Sequence, residues 1–224
     1  MLFWQDPQFG EKLITMLAAL VLVLQILMVA QRWLITNIRA FGVQSFLLAA
    51  IAATIAYFNH APHVYVVAAL TLIFKAILLP LALERLVAKI EIRQEIEPLV
   101  NVPISVIFSG LLALLAYVVA ESFHRPDEAG LGHNTLAVAI ALFLIGFFMM
   151  VNRRKALTQV LALLCLENGL FLAAISLTYG MPLIIEAGIF FDVLVATLLL
   201  AILIYRIRET FDSMDVSRLS RLKG

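Results

Sequence analysis

Seven apolar windows constrain this chain more than any other feature of its sequence. Each is close to the length that a helix needs to cross a hydrocarbon core, roughly 20 residues. They lie at about 13–31, 41–58, 64–83, 102–120, 136–151, 156–179 and 181–204. None alternates polar and apolar residues with a period of two, as barrel strands do. Because only helices and closed barrels satisfy the backbone inside a bilayer, the windows predict an all-α, polytopic membrane protein with seven transmembrane helices.

The composition agrees with a lipid environment. Of the 224 residues 63% are hydrophobic and 14% are charged, whereas soluble domains have about half apolar and a quarter charged residues. The single cysteine, Cys165, excludes an internal disulfide. Asp6, Glu11 and Lys12 flank the first window in place of a basic patch, so we interpret this window as a retained helix and not as a signal peptide.

Basic residues predict the orientation of the chain. With seven helices, one side of the membrane holds only Lys12 and Arg125. The other side holds Arg32, Arg39, Arg85, Lys89, Arg93, Arg153, Arg154, Lys155, Arg206, Arg208, Arg218, Arg221 and Lys223. Cytoplasmic loops carry the excess of basic residues. We therefore expect the amino terminus outside and the carboxyl terminus in the cytoplasm.

An internal repeat is visible. "FLLAAI" at 46–51 resembles "LFLAAI" at 170–175, and each is followed by a short outer loop with a proline. The predicted organisation is an amino-terminal three-helix unit with a cytoplasmic amphipathic extension (1–101), a linking helix and outer loop (102–131), and a second three-helix unit with a cytoplasmic tail (132–224). The two units would run parallel. Apolar composition alone can produce a similarity of this length, so this alternative stays open.

Four ionisable residues lie inside the predicted spans: Lys75, Glu167, Glu186 and Asp192. At about 1.5 Å per residue, all except Glu186 reach the midplane, and Glu186 is about two turns nearer the outside. Each charge at a helix centre costs about 2.5–3.5 kcal/mol on insertion scales. Such groups therefore face protein or water, and midplane carboxylates beside a lysine favour a proton path. We expect Glu167, Asp192 and Lys75 to form a relay, with Glu186 as a possible outer exit.

The alternative is that these groups only hold helices together. Lys75 and Asp192 could form a static pair, because polar groups also link helices inside membranes. Gln25 and Asn168 are interpreted as hydrogen-bonding support and not as relay members.

Other chemistry has little support in the sequence. His60 and His63 have ligand-like spacing, but no cysteine or carboxylate cluster accompanies them, so no metal site is predicted. We find no hydrolase or phosphate-binding motif. The basic residues serve orientation, and no nucleic-acid partner is expected.

The last two predicted helices carry a family resemblance. "LENGLF", "EAGIFFDVLVATLLLAILIYRIRETF" and "DVSRLSRLKG" closely resemble component E of the hydrogenase-4 class of membrane-bound hydrogenases, and "FKAILLPLAL" in helix three is similar to the lysine-containing segment of that family. The carboxyl-terminal part of that family is in turn similar to chain K of respiratory complex I.

The resemblance implies a membrane subunit of a redox-driven proton pump in a bacterial or archaeal cytoplasmic (inner) membrane. By position in the motif, Glu167 matches the first membrane glutamate of chain K, and Asp192 takes the place of the second with a side chain one methylene shorter. Glu186 has no obvious chain K counterpart. The implied partners are antiporter-like membrane subunits, a membrane anchor subunit, and a cytoplasmic hydrogenase or other redox arm, besides membrane lipids.

The implied role is that of a non-redox subunit, not catalytic alone, of an oxidoreductase of the hydrogenase or formate hydrogenlyase type. No cofactor is expected in this chain; a nickel–iron centre and iron–sulfur clusters would belong to partner subunits. Two other classes remain open: a free-standing ion-coupled transporter, and a structural linker whose charges are paired and inert.

Overall fold

The computed structural model describes residues 7–89, 98–122 and 133–178, all within the first of two structural units, Met1–Glu186. These residues are helical apart from short connections and one isolated bridge between Pro98 and Arg153. The helices are α1 (Pro7–Ala30), α2 (Leu34–Phe58), α3 (Pro62–Leu70), a π-helical segment (Thr71–Leu78), α4 (Leu79–Lys89), α5 (Val102–Glu121), α6 (His133–Asn152) and α7 (Ala156–Thr178).

Six of the helical stretches in this part of the chain are long and apolar enough to cross a membrane. They are Gln8–Ala30, Leu34–Phe58, Pro62–Arg85, Val102–Glu121, Thr135–Asn152 and Leu157–Leu177. The third combines α3, the π segment and most of α4. The all-α prediction agrees with this arrangement, and the first six windows each fall on one stretch. The seventh window at 181–204, Glu186 and Asp192 lie outside the described residues.

Successive membrane-spanning stretches alternate in direction, so that α1, α4 and α6 end at the side of the bundle where α2, α5 and α7 begin. We call this the basic end of the bundle, since Arg32 and the run 153–155 lie in its turns. Arg153 is buried and donates hydrogen bonds to the carbonyl oxygens of Met28 and Val29, at 3.1 and 3.4 Å, in the last turn of α1. Burial lowers the pKa of the Arg153 guanidinium to about 10. The group stays charged at neutral pH and stabilises the negative end of the α1 dipole.

Asn152 connects the start of α5 to the end of α6. Its side-chain oxygen accepts a hydrogen bond from the backbone N–H of Val100 at 2.8 Å, and its amide nitrogen donates to the Ser105 hydroxyl at 3.1 Å. The backbone oxygen of Asn152 also accepts a bond from the Leu99 N–H at 2.9 Å. These bonds satisfy backbone groups that precede a helix and have no partner within it.

Asn152→Ala should therefore destabilise the bundle by about 1–3 kcal/mol, the typical cost of leaving buried polar groups without their partner. Asn101→Ala is the matched control, because Asn101 is exposed and its side chain makes no capping bond to α5. We expect scanning fluorimetry in detergent to give a lower Tm for Asn152→Ala and an unchanged Tm for Asn101→Ala. Equal values for both variants would contradict this role of Asn152.

Candidate functional site

Two of the intramembrane charges that the sequence singles out lie against each other. The ammonium nitrogen of Lys75 is 3.4 Å from a carboxylate oxygen of Glu167, and the two side chains are 5% and 2% exposed. Glu167 is ten residues into its 21-residue stretch, about 15 Å from the basic end. Lys75 is ten residues before the end of its stretch at Arg85. The ion pair therefore lies near the middle of the bundle, where a single charge would be costly.

The backbone around Lys75 is unusual. Thr71–Leu78 is π-helical and is continued by α4, which has Pro80 as its second residue. A proline cannot donate a backbone bond, and short π segments inside α-helices change the direction of side chains and often occur at functional sites. The Lys75 nitrogen also lies 5.5 Å from the centroid of the Phe171 ring on α7. A cation over an aromatic face is stabilised by the ring quadrupole, so the carboxylate and the ring of α7 both hold the ammonium group.

Two glycine contacts set the position of Glu167 against α6. A Cβ atom added to Gly146 on α6 would lie 2.7 Å from the backbone of Leu166. A Cβ atom added to Gly169 on α7 would lie 2.6 Å from the backbone nitrogen of Phe143. The two helices thus approach each other closely just before and just after Glu167. Close backbone contact at glycine is a common way for membrane helices to pack, and here it fixes the rotation of α7.

A set of buried amide side chains extends from the depth of the ion pair toward the basic end. We call Gln25, Gln44 and Asn168 the amide line; all three side chains are fully buried. The Asn168 amide nitrogen donates to the Gln44 side-chain oxygen at 3.1 Å and to the Ser45 hydroxyl at 3.2 Å. The Gln44 nitrogen donates to the Gln25 oxygen at 2.7 Å. The Gln25 nitrogen in turn donates to the Met149 sulfur at 3.2 Å.

Sequence reasoning identified Gln25 and Asn168 as polar support but missed Gln44 and Ser45. These two residues also interrupt an apolar helix, and a uniform search for buried hydrogen-bonding groups in every span would have found them. They join the two predicted residues, which lie on α1 and α7. The three amides link four helices, since Met149 lies on α6.

The remaining predicted groups lie elsewhere or outside the described residues. Asp192 and Glu186 fall in the part of the chain that is not described, and so does any pairing of Lys75 with Asp192. His60 lies in the turn before α3, and His63 is the second residue of α3. No group of three potential metal ligands occurs among the residues that the structure describes.

The arrangement defines a class of protein: a polytopic, all-helical membrane protein with a buried ion pair of opposite charge at mid-depth. A carboxylate can hold or release a proton, and the neighbouring ammonium group favours its charged form. The amides beside it have no group that ionises at neutral pH, so they can position the pair but cannot exchange its proton.

Comparisons with known proteins give the family. Residues 134–224 match the model of "NADH-ubiquinone/plastoquinone oxidoreductase chain 4L". An uncharacterized protein of Mycobacterium tuberculosis is 35% identical over 68% of this chain and 69% of its own length. "Hydrogenase-4 component E" of Escherichia coli K12 is 26% identical over 96% of this chain and 99% of its own length. The chain belongs to one family with this M. tuberculosis protein and resembles hydrogenase-4 component E along nearly its whole length, as the motifs in its sequence predicted. No solved structure matches it.

Proposed function

We propose that this chain is a membrane subunit of a complex I-like, hydrogenase-type complex that pumps protons with redox energy. Similarity to hydrogenase-4 component E along nearly the whole chain supports this proposal, and so does the match to chain 4L over residues 134–224. The six membrane-spanning stretches fit a subunit that lies in the bilayer. The proposed complex is an oxidoreductase, of which formate hydrogenlyase is one possible type.

The observation that carries the proposed mechanism is the Lys75–Glu167 ion pair. Its two groups are almost completely buried and 3.4 Å apart at mid-depth. In this role Glu167 takes up and releases a proton, and the charge of Lys75 sets how readily it does so. Asp192 is proposed as the next carboxylate of the relay and Glu186 as an outer exit. Gln25 and Asn168 support the site through hydrogen bonds.

The proposed architecture adds a seventh helix at 181–204 to the six described. The units 1–101 and 132–224 are then parallel repeats, joined by the helix and loop of 102–131. Of the thirteen basic residues that the sequence assigns to one side, the seven in the described part of the chain lie near the basic end, which supports a cytoplasmic location for that end. The amino terminus is then outside and the carboxyl terminus in the cytoplasm.

The proposed partners are antiporter-like membrane subunits, a membrane anchor subunit and a cytoplasmic hydrogenase or other redox arm. The chain itself is proposed to bind no cofactor. Its only cysteine, Cys165, is fully buried, and iron–sulfur clusters are usually held by four cysteines. A nickel–iron centre and iron–sulfur clusters would belong to the partner subunits.

Purification of the tagged chain from native membranes in mild detergent tests this proposal. We expect large antiporter-like subunits and nickel–iron or other iron–sulfur proteins to co-purify in fixed ratio, because a subunit that contains no redox centre needs partners for its activity. Mass spectrometry of the purified material identifies them. A homo-oligomer free of redox proteins, active in ion transport by itself, would contradict the proposal and favour a free-standing transporter.

A further inference from the structure

The amide line runs from the depth of the ion pair toward the basic end. Asn168 lies 11 residues into its stretch and Gln44 lies ten residues into its own, about 16 and 15 Å from the basic end. Gln25 is five residues and Met149 three residues from the basic ends of their stretches, which corresponds to about 8 and 5 Å. The line therefore covers about half of the distance between the Lys75–Glu167 pair and that end of the bundle, and Met149 extends it to about two thirds.

The hydrogen bonds within the line are direct. The three amide-to-amide and amide-to-sulfur contacts measure 2.7, 3.1 and 3.2 Å between heavy atoms. At these distances no water molecule fits between the bonded groups. The Gln44 nitrogen also donates to the Val21 carbonyl oxygen at 3.4 Å, so that both of its hydrogens are used. A proton relay needs groups that accept and release protons or waters that do so, and the bonded amides of this line do not ionise at neutral pH and leave no room for a water between them.

We call the region where α1, α2 and α7 meet around the amide line the seam. We propose that the amide line prevents water and protons from entering this seam from the basic end. Protons then exchange with the Lys75–Glu167 pair along another route, and the amide line prevents a leak that would uncouple it. The role of the amide line in proton coupling rests on the proposed function. The closure to water is a property of the bundle by itself.

Cys165 provides a probe inside this seam. It is the only cysteine of the chain, it is fully buried on α7 about 12 Å from the basic end, and its thiol lies near Gln25. A charged, water-soluble methanethiosulfonate reagent reaches a thiol only through water. Its reaction with Cys165 therefore reports whether water enters the seam.

The test compares Gln44→Ala with the wild-type complex in inverted membrane vesicles. The substitution removes the central amide and leaves the Gln25 oxygen and the Asn168 nitrogen around a polar space that water can fill. We expect the rate of Cys165 labelling to rise about tenfold, which corresponds to about 1.4 kcal/mol in the free energy of opening. Mass spectrometry of the peptide that contains Cys165 measures the rate. Wild-type protein should stay protected.

Val43→Ala is the matched control, because Val43 precedes Gln44 but is 52% exposed on the outer face of α2. Its labelling rate should equal that of wild type. Protection of Cys165 in Gln44→Ala would overturn the proposal, and so would equal labelling in both variants, which would indicate general loosening of the bundle.

A second readout separates this inference from the proposed function. Gln44→Ala should keep the redox turnover of the complex but translocate fewer protons per turnover, while Glu167→Gln should lose translocation with Cys165 still protected. If Cys165 becomes reactive in Gln44→Ala and proton stoichiometry stays normal, the closure to water is right and its role in proton coupling is wrong. If Cys165 stays protected in Gln44→Ala while Glu167→Gln loses translocation, the relay role of Glu167 is supported and the closure to water is wrong.

Discussion

Glu167→Gln is expected to lower proton translocation by the assembled complex about tenfold or more, while the redox reaction of its partners continues. Glutamine has nearly the same shape as glutamate and keeps its hydrogen-bonding capacity, but its side chain cannot give up a proton at neutral pH. Positioned acid–base groups typically contribute about 100-fold or more to the rate of proton transfer. The loss should therefore appear in the proton transfer step and not in substrate turnover.

The measurement is proton uptake by inverted vesicles, followed with a pH-sensitive dye and divided by redox turnover in the same sample. Glu84→Gln is the matched control, since Glu84 forms an ion pair with Arg39 at 2.8 Å in which the Arg39 side chain is 71% exposed. Exposed ion pairs contribute about 0–1 kcal/mol, so this variant should pump normally. Unchanged proton uptake per turnover in Glu167→Gln would contradict the relay role.

Glu167→Gln should also lower the stability of the chain, because it removes one partner of the ion pair. Loss of one partner of a buried ion pair costs about 3–5 kcal/mol, because the other charge is left without compensation. Glu167→Gln should thus reduce the amount of assembled complex, which is the reason for scaling proton uptake to turnover. Lys75→Met together with Glu167→Gln removes both charges and should restore much of the lost stability.

The double variant separates a relay from an inert linker. If the pair only holds α7 to the π segment, Lys75→Met/Glu167→Gln should recover proton translocation together with stability. If Glu167 carries the proton, stability should return while translocation stays low. Thermal unfolding in detergent and proton uptake per turnover, measured on the same preparations, distinguish the two results.

The membrane-spanning helices could be predicted from the sequence because the bilayer sets both their length and their polarity. The first and last residues of the helices were predicted less accurately, and α2 is the clearest example. Its window begins at residue 41, whereas the helix begins at Leu34. Asn37 and Arg39 lie in the added part, and polar residues end a hydropathy window without ending the backbone hydrogen bonds of a helix.

The candidate site was predictable only in part. A charge in an apolar helix is visible from the sequence, so Lys75 and Glu167 were found. Their pairing depends on the rotation of α7 and on the π-helical turn around Lys75, and neither has a reliable signal in a single sequence. Gln44 was missed for a related reason: an uncharged amide stands out little from its neighbours until the helices that surround it are known.

Gly169→Ala is expected to destabilise the bundle strongly, although it adds a single methyl group. The new Cβ atom would lie 2.6 Å from the Phe143 nitrogen and 3.0 Å from the Ala139 carbonyl oxygen, both backbone atoms of α6. A backbone cannot move aside as a side chain does, so α6 and α7 must separate. Overpacking of this kind costs about 1–3 kcal/mol or more, and the shift would also move Glu167 away from Lys75.

Gly110→Ala on α5 makes the same chemical change with the opposite expected sign. No atom lies within 4 Å of a Cβ added at Gly110, and alanine is favoured over glycine in a helix by up to about 1 kcal/mol. Thermal unfolding in detergent should therefore give a Tm below wild type for Gly169→Ala and at or above wild type for Gly110→Ala. Because α6 and α7 touch on both sides of Glu167, Gly169→Ala should also lower proton uptake per turnover in the complex that still assembles. A normal Tm for Gly169→Ala would mean that the close approach of α6 and α7 is not what holds the ion pair together.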